Sequence, residues 1–349
     1  MGCEHRLKAA RFYEPGVIRV EEVDIPKIAK GELLIQNHVA LTCGTDLKMF
    51  LRGHRLATPP LIIGHEFAGT VEEVGEGVQG FKKGMRIVSA NSAPCMSCHY
   101  CRIGKPNLCD HLDEVLVGFS SPGAYAEYVR LPARIVKQNA YEIPEDVPFE
   151  AAAFVEPLAC VVHGIDLSNI KAGDLVFVIG AGPIGLMHVQ LAKVRGAKTV
   201  VVADASSERL QRAAQLGADQ LITSGDPAGQ VRALTEDRGA DVTIEAVGKT
   251  ETWELAVRAT RKGGTTVLFG GCPAGSAASI DTGLVHYGEL TLKGVFHHTP
   301  RDVRESLRLI STGQVKVAPL ITHRMRLAQV EEALRLMQKG TAIKVAITP

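Results

Sequence analysis

The feature that most constrains this chain is a glycine turn set between a strand pattern and a helix pattern. Gly180, Gly182 and Gly185, separated by Ala181, Pro183 and Ile184, spell G-x-G-x-x-G. The apolar run Leu175–Ile179 leads into them, and apolar residues of helical period continue over 184–195. Alone the motif says little; between a strand and a helix it predicts a dinucleotide-binding turn. The first glycine permits the tight turn, the second lets a pyrophosphate approach the backbone, and the third lets helix and strand pack closely. The helix N-terminus offers free N–H groups to the phosphates. Pro183 and Ile184 fill the rest of that contact. Asp204 closes the next apolar run, 199–203, where a carboxylate accepts hydrogen bonds from a ribose 2′-hydroxyl and repels a 2′-phosphate. That favours NAD over NADP, with Arg209 nearby as the residue that argues the other way.

Downstream of Asp174 the texture is strand–helix alternation. Strands are expected at 175–179, 199–203, 220–222, 241–245, 265–269 and 290–295, with helices at 184–195, 207–216 and 250–260. This is the pattern of a doubly wound parallel sheet of six strands, an α/β fold. The first 150 residues read instead as short strands (33–36, 68–74, 86–90, 126–131) separated by glycine and proline turns, with a connector at 144–148. The tail predicts a helix from 301, a strand-like stretch at 318–321, a helix over 327–338 and a last strand at 344–347. There is no internal repeat.

A chain of 349 residues is long enough for two cores. A net charge of +1 leaves no electrostatic footprint for nucleic acid. The first sixteen residues hold no apolar stretch, so neither a signal peptide nor a membrane anchor is expected there. No segment is expected to reach the ~18 apolar residues of a membrane span. Met1-Gly2 opens like a myristoylation signal, but Arg6 stands where Ser or Thr is needed. Eight cysteines at metal-like spacing fit a reducing compartment, and the cytoplasm is the expected location.

Half of those cysteines, Cys95, Cys98, Cys101 and Cys109, lie within fifteen residues. Four thiolates complete a tetrahedral zinc shell with no open position, the arrangement of a structural site. An iron–sulfur cluster is the rival, but the fourth cysteine comes late and no proline follows it. His99 is a bystander inside the run. A second constellation is Cys43, His65, Glu66 and, farther on, Glu156. A catalytic zinc needs about three protein ligands and an exchangeable position, and these residue types supply them, but no local spacing rule brings them together.

Taken together, Cys43-Gly44-Thr45-Asp46, Gly64-His65-Glu66-Phe67-Ala68-Gly69, the four-cysteine lobe, Gly123-Ala124-Tyr125-Ala126-Glu127-Tyr128 and the glycine turn strongly resemble the zinc-containing medium-chain dehydrogenase/reductase family. Glu156-Pro157-Leu158-Ala159 resembles its polyol (sorbitol, L-iditol) branch. The resemblance implies a chaperonin-10-like β-rich catalytic domain over 1–160 and 297–349, with the structural zinc lobe at 93–111, and a Rossmann domain over 161–296. It implies two zinc ions per chain and a nicotinamide cofactor. Cys43 and His65 match zinc ligands, Glu66 the third ligand or its close partner, Glu156 a carboxylate on zinc directly or through water, and Thr45 the hydroxyl that takes the substrate proton. The implied activity is hydride transfer between a secondary alcohol and NAD, in a homotetramer or homodimer. The alternatives are a sugar-phosphate or L-threonine-type dehydrogenase and, without catalysis, an NAD-binding redox sensor. Three positions depart from the branch. Lys48 stands where a histidine usually relays the proton, Met49 where tyrosine is common, and Phe296-His297-His298 where Phe-Arg-Tyr is usual. With Arg52, His54 and Arg55, Lys48 forms a basic cluster suited to a charged substrate.

Overall fold

A computed structural model describes residues 6–349, so the Met1-Gly2 question lies outside the described residues. The chain forms two compact units. One comprises 1–159, 298–313 and 317–349; the other comprises 160–297 and 314–316.

The first unit is built on β-structure. A hairpin of Arg6–Glu14 and Val17–Asp24, extended by Leu61–Ile62, makes a three-stranded sheet. A seven-stranded sheet runs, in order, Ile321–Arg326, Lys344–Thr348, Leu33–Leu41, Glu66–Val74, Arg86–Ser89 and Ala140–Glu142, with Tyr128–Leu131 also pairing with Leu33–Leu41. Its core packs Leu33, Ile35, Phe50, Phe67, Tyr125 and Val345 among others, each at most 2% exposed. Two pairings matter for function. Leu41 lies opposite Glu66 on one side of the central strand and opposite Ala346 on the other. The residues just past Leu41 therefore meet the start of Glu66–Val74 and the start of Lys344–Thr348.

The second unit is a six-stranded, wholly parallel sheet in the order Gln220–Ile222, Thr199–Ala203, Leu175–Ile179, Ala240–Glu245, Thr260–Leu268, Thr291–Gly294. The chain reverses its direction of growth between Leu175–Ile179 and Ala240–Glu245, the switch point where such sheets open a ligand crevice. Val176, Val178, Val200, Val202, Ile244 and Val267 are fully buried, as a sheet covered on both faces requires.

Three expectations are corrected. The stretch at 318–321 is not a strand. Ala318–Leu320 is a 3-10 turn, since Pro319 has no N–H to give a ladder, and the strand begins at Ile321. The fifth strand of the parallel sheet starts at Thr260, five residues before expected, because Gly263 and Gly264 hide its pattern behind a register shift. The segment Phe149–Ser168 does have the length and mean hydropathy (1.3) of a membrane span, but 78% of that window is buried inside the fold, so it is a core helix.

Candidate metal centres and nucleotide crevice

Cys43 caps the helix Gly44–Arg52. Its Sγ accepts the N–H of Thr45 at 3.4 Å, and its own N–H donates to Asp46 Oδ2 at 3.0 Å. Strand register brings Glu66 and His65 alongside. Single ligand atoms of Cys43, His65 and Glu66 lie within 4.8 Å of one another. His65 Nδ1 lies 3.0 Å from Asp46 Oδ1, and the ring also hydrogen-bonds the Cys43 side chain. With Nδ1 on the carboxylate, Nε2 is left for a metal, the usual orientation of a ligating histidine by a carboxylate behind it. The Tyr125 hydroxyl donates to Asp46 Oδ2 at 2.7 Å, locking the carboxylate. Gly64 has φ +91, and a Cβ there would come within 2.8 Å of the Tyr125 ring; only glycine admits both the turn and the tyrosine. Sequence reasoning quoted Asp46 and Tyr125 inside motifs without giving them roles.

Lys344, reached through the Lys344–Thr348 strand, was missed altogether. Its ammonium donates to both oxygens of Glu66, to Oε1 at 2.6 Å, and both residues are at most 2% exposed. Glu66 thus stands within ligand distance of Cys43 and His65 while bound to a lysine. Burial pushes Glu66 up to about 8 against the pull of Lys344. Burial alone would lower Lys344, but Glu66 and Cys43 hold it raised. For Cys43 burial opposes ionisation, yet His65 and Lys344 bring it down to about 7, ready to give a thiolate.

Thr45 is half-buried in the first turn of the same helix, and Lys48, one turn on, is exposed. Glu156 is buried and pushed up to about 7 by its burial. It lies near enough to feel the charges of His65, Glu66 and Lys344, and its closest ligand-type neighbours include His298, whose Nε2 is 3.9 Å from its Oε1.

The four cysteines of the lobe do converge, with sulfurs within 4.8 Å of one another. Cys95 Sγ accepts from Ser97 N, Ser97 Oγ and Cys98 N at 3.4, 3.4 and 3.2 Å. Cys109 Sγ accepts from Cys95 N at 3.2 Å and His111 N at 3.4 Å. Hydrogen bonds from Ser97 bring Cys95 down to about 5, while burial and neighbouring thiols push Cys101 up to about 12. N–H groups aimed at sulfur stabilise thiolates, and a tetrahedral dication supplies the charge four of them need. Both constellations fit zinc. Arg134 ties the lobe down, donating to His111 O at 2.7 Å and Glu114 Oε2 at 2.6 Å.

In the second unit the glycines behave as the motif requires. Gly180 has φ +101; a Cβ on Gly185 would sit 1.8 Å from Gly180 O, whereas around Gly182 there is open space. Pro183 and Ile184 begin the helix Pro183–Val194, capped by Gly182. A phosphate group fits that cradle. Asp204 Oδ2 accepts Ala181 N–H at 2.7 Å and Oδ1 accepts Ser206 N–H at 2.8 Å, which fixes the carboxylate beside the turn. Arg209 is half-buried in the next helix, Ser207–Gln215. Glu245, overlooked in the sequence, is fully buried at the end of its strand and accepts from Val247 N, Gly248 N and Thr252 Oγ1 at 2.8, 2.8 and 2.7 Å. It shapes the turn on which Gly180 packs. A cavity of about 360 Å³ lies at the same strand ends, lined by Thr250, Trp253, Gly270 and Cys272 among others.

Family models agree with this geometry. Residues 29–145 match the alcohol dehydrogenase GroES-like domain and residues 183–312 the zinc-binding dehydrogenase domain. The chain belongs to the zinc-containing medium-chain dehydrogenase/reductase family. It is 34% identical to the L-threonine 3-dehydrogenase of Bacillus licheniformis over 96% of each chain. It is 32% identical to the sorbitol dehydrogenase of Mus musculus, over 95% of this chain and 93% of that one. A solved zinc-binding dehydrogenase structure from Sinorhizobium meliloti, bound to NADP, superposes with a TM-score of 0.91 at 34% identity, covering 99% of this chain and all of that one. This zinc dehydrogenase family member is thus related both to polyol and to threonine enzymes.

Proposed function

We propose that this dehydrogenase interconverts a secondary alcohol of the polyol type and its ketone, with NAD as hydride carrier. The observation that carries the reading is the buried group of Cys43, His65 and Glu66, backed by Asp46 and Tyr125. Cys43, His65 and Glu66 or Glu156 would hold a catalytic zinc; Cys95, Cys98, Cys101 and Cys109 would hold a structural one. When bound, the catalytic ion supplies Lewis acidity that lowers the pKa of an alcohol hydroxyl. The nicotinamide supplies the hydride acceptor. Thr45 lies two residues from Cys43; its Oγ1 accepts the hydroxyl proton while its own proton passes outward to solvent. Asp46 and Tyr125 keep the His65 ring in one orientation. Gly182 and the start of the helix Pro183–Val194 seat the pyrophosphate, and Asp204 faces the adenosine ribose.

Asp204 supports NAD over NADP even though the S. meliloti relative binds NADP. Asp204→Ser is expected to weaken NAD use and narrow its margin over NADP; an unmodified enzyme that prefers NADP overturns this. A screen of NAD⁺ reduction over polyols, sugar-alcohol phosphates, L-threonine and simple secondary alcohols tests the activity. Elemental analysis is expected to give two zinc per chain. An NAD-binding sensor without catalysis would reduce no NAD⁺ with any alcohol. The strand Thr291–Gly294 is an edge of the parallel sheet, and unpaired edges invite pairing. It supports a homodimer or homotetramer, which light scattering checks.

A further inference from the structure

A cavity of about 420 Å³ opens in the first unit between the tip of the N-terminal hairpin and the turn after helix Gly44–Arg52. Tyr13, Glu14, Arg52, His54, Arg55 and Pro59 are among its walls. The backbone turns sharply here: Gly53 N–H closes the helix on Met49 O at 2.8 Å and Gly53 has φ +75. That turn presents Arg52 and His54 to the same space.

The charges around it do not cancel. Glu21 is taken by Arg11 at 2.7 Å and by the Tyr13 hydroxyl, and Asp113 is taken by Arg55 at 3.0 Å. Arg19 lies over the Tyr13 ring, 5.0 Å from its centroid. The Arg52 side chain makes no ion pair or hydrogen bond with any described residue, and neither does that of Lys48, one helical turn before it. Residues four apart share a helix face. Against Arg19, Lys48 and Arg52 stands one unpaired carboxylate, Glu14, exposed at the rim. His54 adds a neutral donor. Its Nδ1 accepts the N–H of Leu56 at 3.3 Å, so the ring proton sits on Nε2. An arginine fork beside an imidazole N–H is the donor set that carboxylate and phosphate groups bind.

One wall of the cavity, His54, is linked to the metal group through Phe119. The His54 ring packs edge-on against Phe119 with centroids 5.1 Å apart, and Phe119 packs on His65, again at 5.1 Å. One aromatic ring separates a wall of the cavity from a metal-ligating imidazole.

We propose that this cavity is an anion subsite whose Arg52 and His54 hold the carboxylate or phosphate of the alcohol oxidised at Cys43 and His65. Among secondary alcohols of the polyol type, the substrate is then one that carries a phosphate or carboxylate rather than an uncharged one. This rests on the dehydrogenase reading above and narrows its substrate class. Lys48 contributes long-range attraction and does not accept the substrate proton.

The test uses the full-length, zinc-loaded enzyme saturated with NADH, so that the glycine cradle is filled. Inorganic phosphate is titrated by calorimetry into the wild type, Arg52→Gln and Arg52→Lys. One phosphate per chain is expected, bound at least tenfold more weakly by Arg52→Gln and partly restored by Arg52→Lys. The kinetic arm measures KM for a sugar-alcohol phosphate, L-threonine and sorbitol. The ratio of anionic to neutral KM is expected to rise about tenfold in Arg52→Gln, or 1.4 kcal/mol, with kcat for the anionic substrate held. Whichever of the phosphate and the carboxylate shows the shift names the group. Phosphate binding that ignores Arg52 overturns the subsite. A KM ratio that does not move while alcohols are turned over overturns the substrate assignment. If no alcohol reduces NAD⁺, the dehydrogenase reading fails by itself, and the phosphate arm still decides the cavity. Equal melting temperatures of the variants exclude misfolding as the cause of either loss.

Discussion

The two units bury their polar side chains in opposite ways. In the first, Cys43, Asp46, His65, Glu66 and Lys344 touch one another, so that each charge has an opposite partner. In the second, His188 is fully buried with neither ring nitrogen hydrogen-bonded, against the Phe269 ring 4.9 Å away. Glu245 there binds only N–H groups and a hydroxyl. Isolated charge in a low-dielectric interior is costly, while a paired network tolerates it. The first unit is therefore built to keep ions out of water, as a metal centre must. The second offers its ligand backbone N–H groups at a helix start and satisfies its buried carboxylate with neutral donors instead of an opposite charge.

The contrast breaks most visibly at Cys43. Cys43→Ser is expected to abolish NAD⁺ reduction while fluorescence still reports NADH binding; retained turnover would mean the buried network is not the reacting site. Next in size is Lys344→Met. Burial already pushes Glu66 up to about 8, so without its cation the carboxyl takes a proton, and the loss in chemical denaturation at pH 7 is expected to be about 1–3 kcal/mol. The double variant Lys344→Met, Glu66→Gln should recover most of that loss, and strict additivity of the two would show that the residues do not act as a pair.

The third prediction concerns the second unit. Burial drives His188 down to about 3, so the folded state leaves it neutral while the unfolded chain protonates it near 6.5. The folded state binds fewer protons below pH 6.5, and stability falls with pH from there to about 3. Between pH 7 and 5 the loss from this one group is about 2 kcal/mol. His188→Leu should flatten that part of the stability curve; an unchanged slope would mean the ring finds a partner on protonation. The smallest effect is expected at the surface. Glu331 and Arg335, a helix pair at 2.7 Å with both side chains more than 40% exposed, should lose under ~0.5 kcal/mol on Glu331→Ala. A larger loss would blur the distinction between buried and exposed pairs on which the comparison rests.

How far these features were legible depends on how local they are. Cys95 to Cys109 converge within one loop, so spacing alone predicts the cluster. Gly180 to Gly185 and the strand before them form one strand–turn–helix, and the bounds 175–179 and 199–203 agree with the strands found. Cys43, His65 and Glu66 are different. They meet because Leu41 pairs with Glu66 across a sheet, a register that no spacing rule reveals, and only the family resemblance joined them. Lys344 was invisible for the same reason, lying 278 residues beyond Glu66. Glu245 read as the end of an apolar strand because its partners are backbone groups, which carry no sequence signature.

That separation between Glu66 and Lys344 also sets an order of events. Synthesis runs from Cys43 and His65 through the entire nucleotide-binding unit before it reaches the strand Lys344–Thr348. Domains fold as they emerge, so the second unit has its whole sheet available while the first still lacks a strand beside Leu33–Leu41. Until that strand arrives, Glu66 has no lysine and its pocket no closing wall. On the ribosome, the half of the molecule begun first is the half finished last.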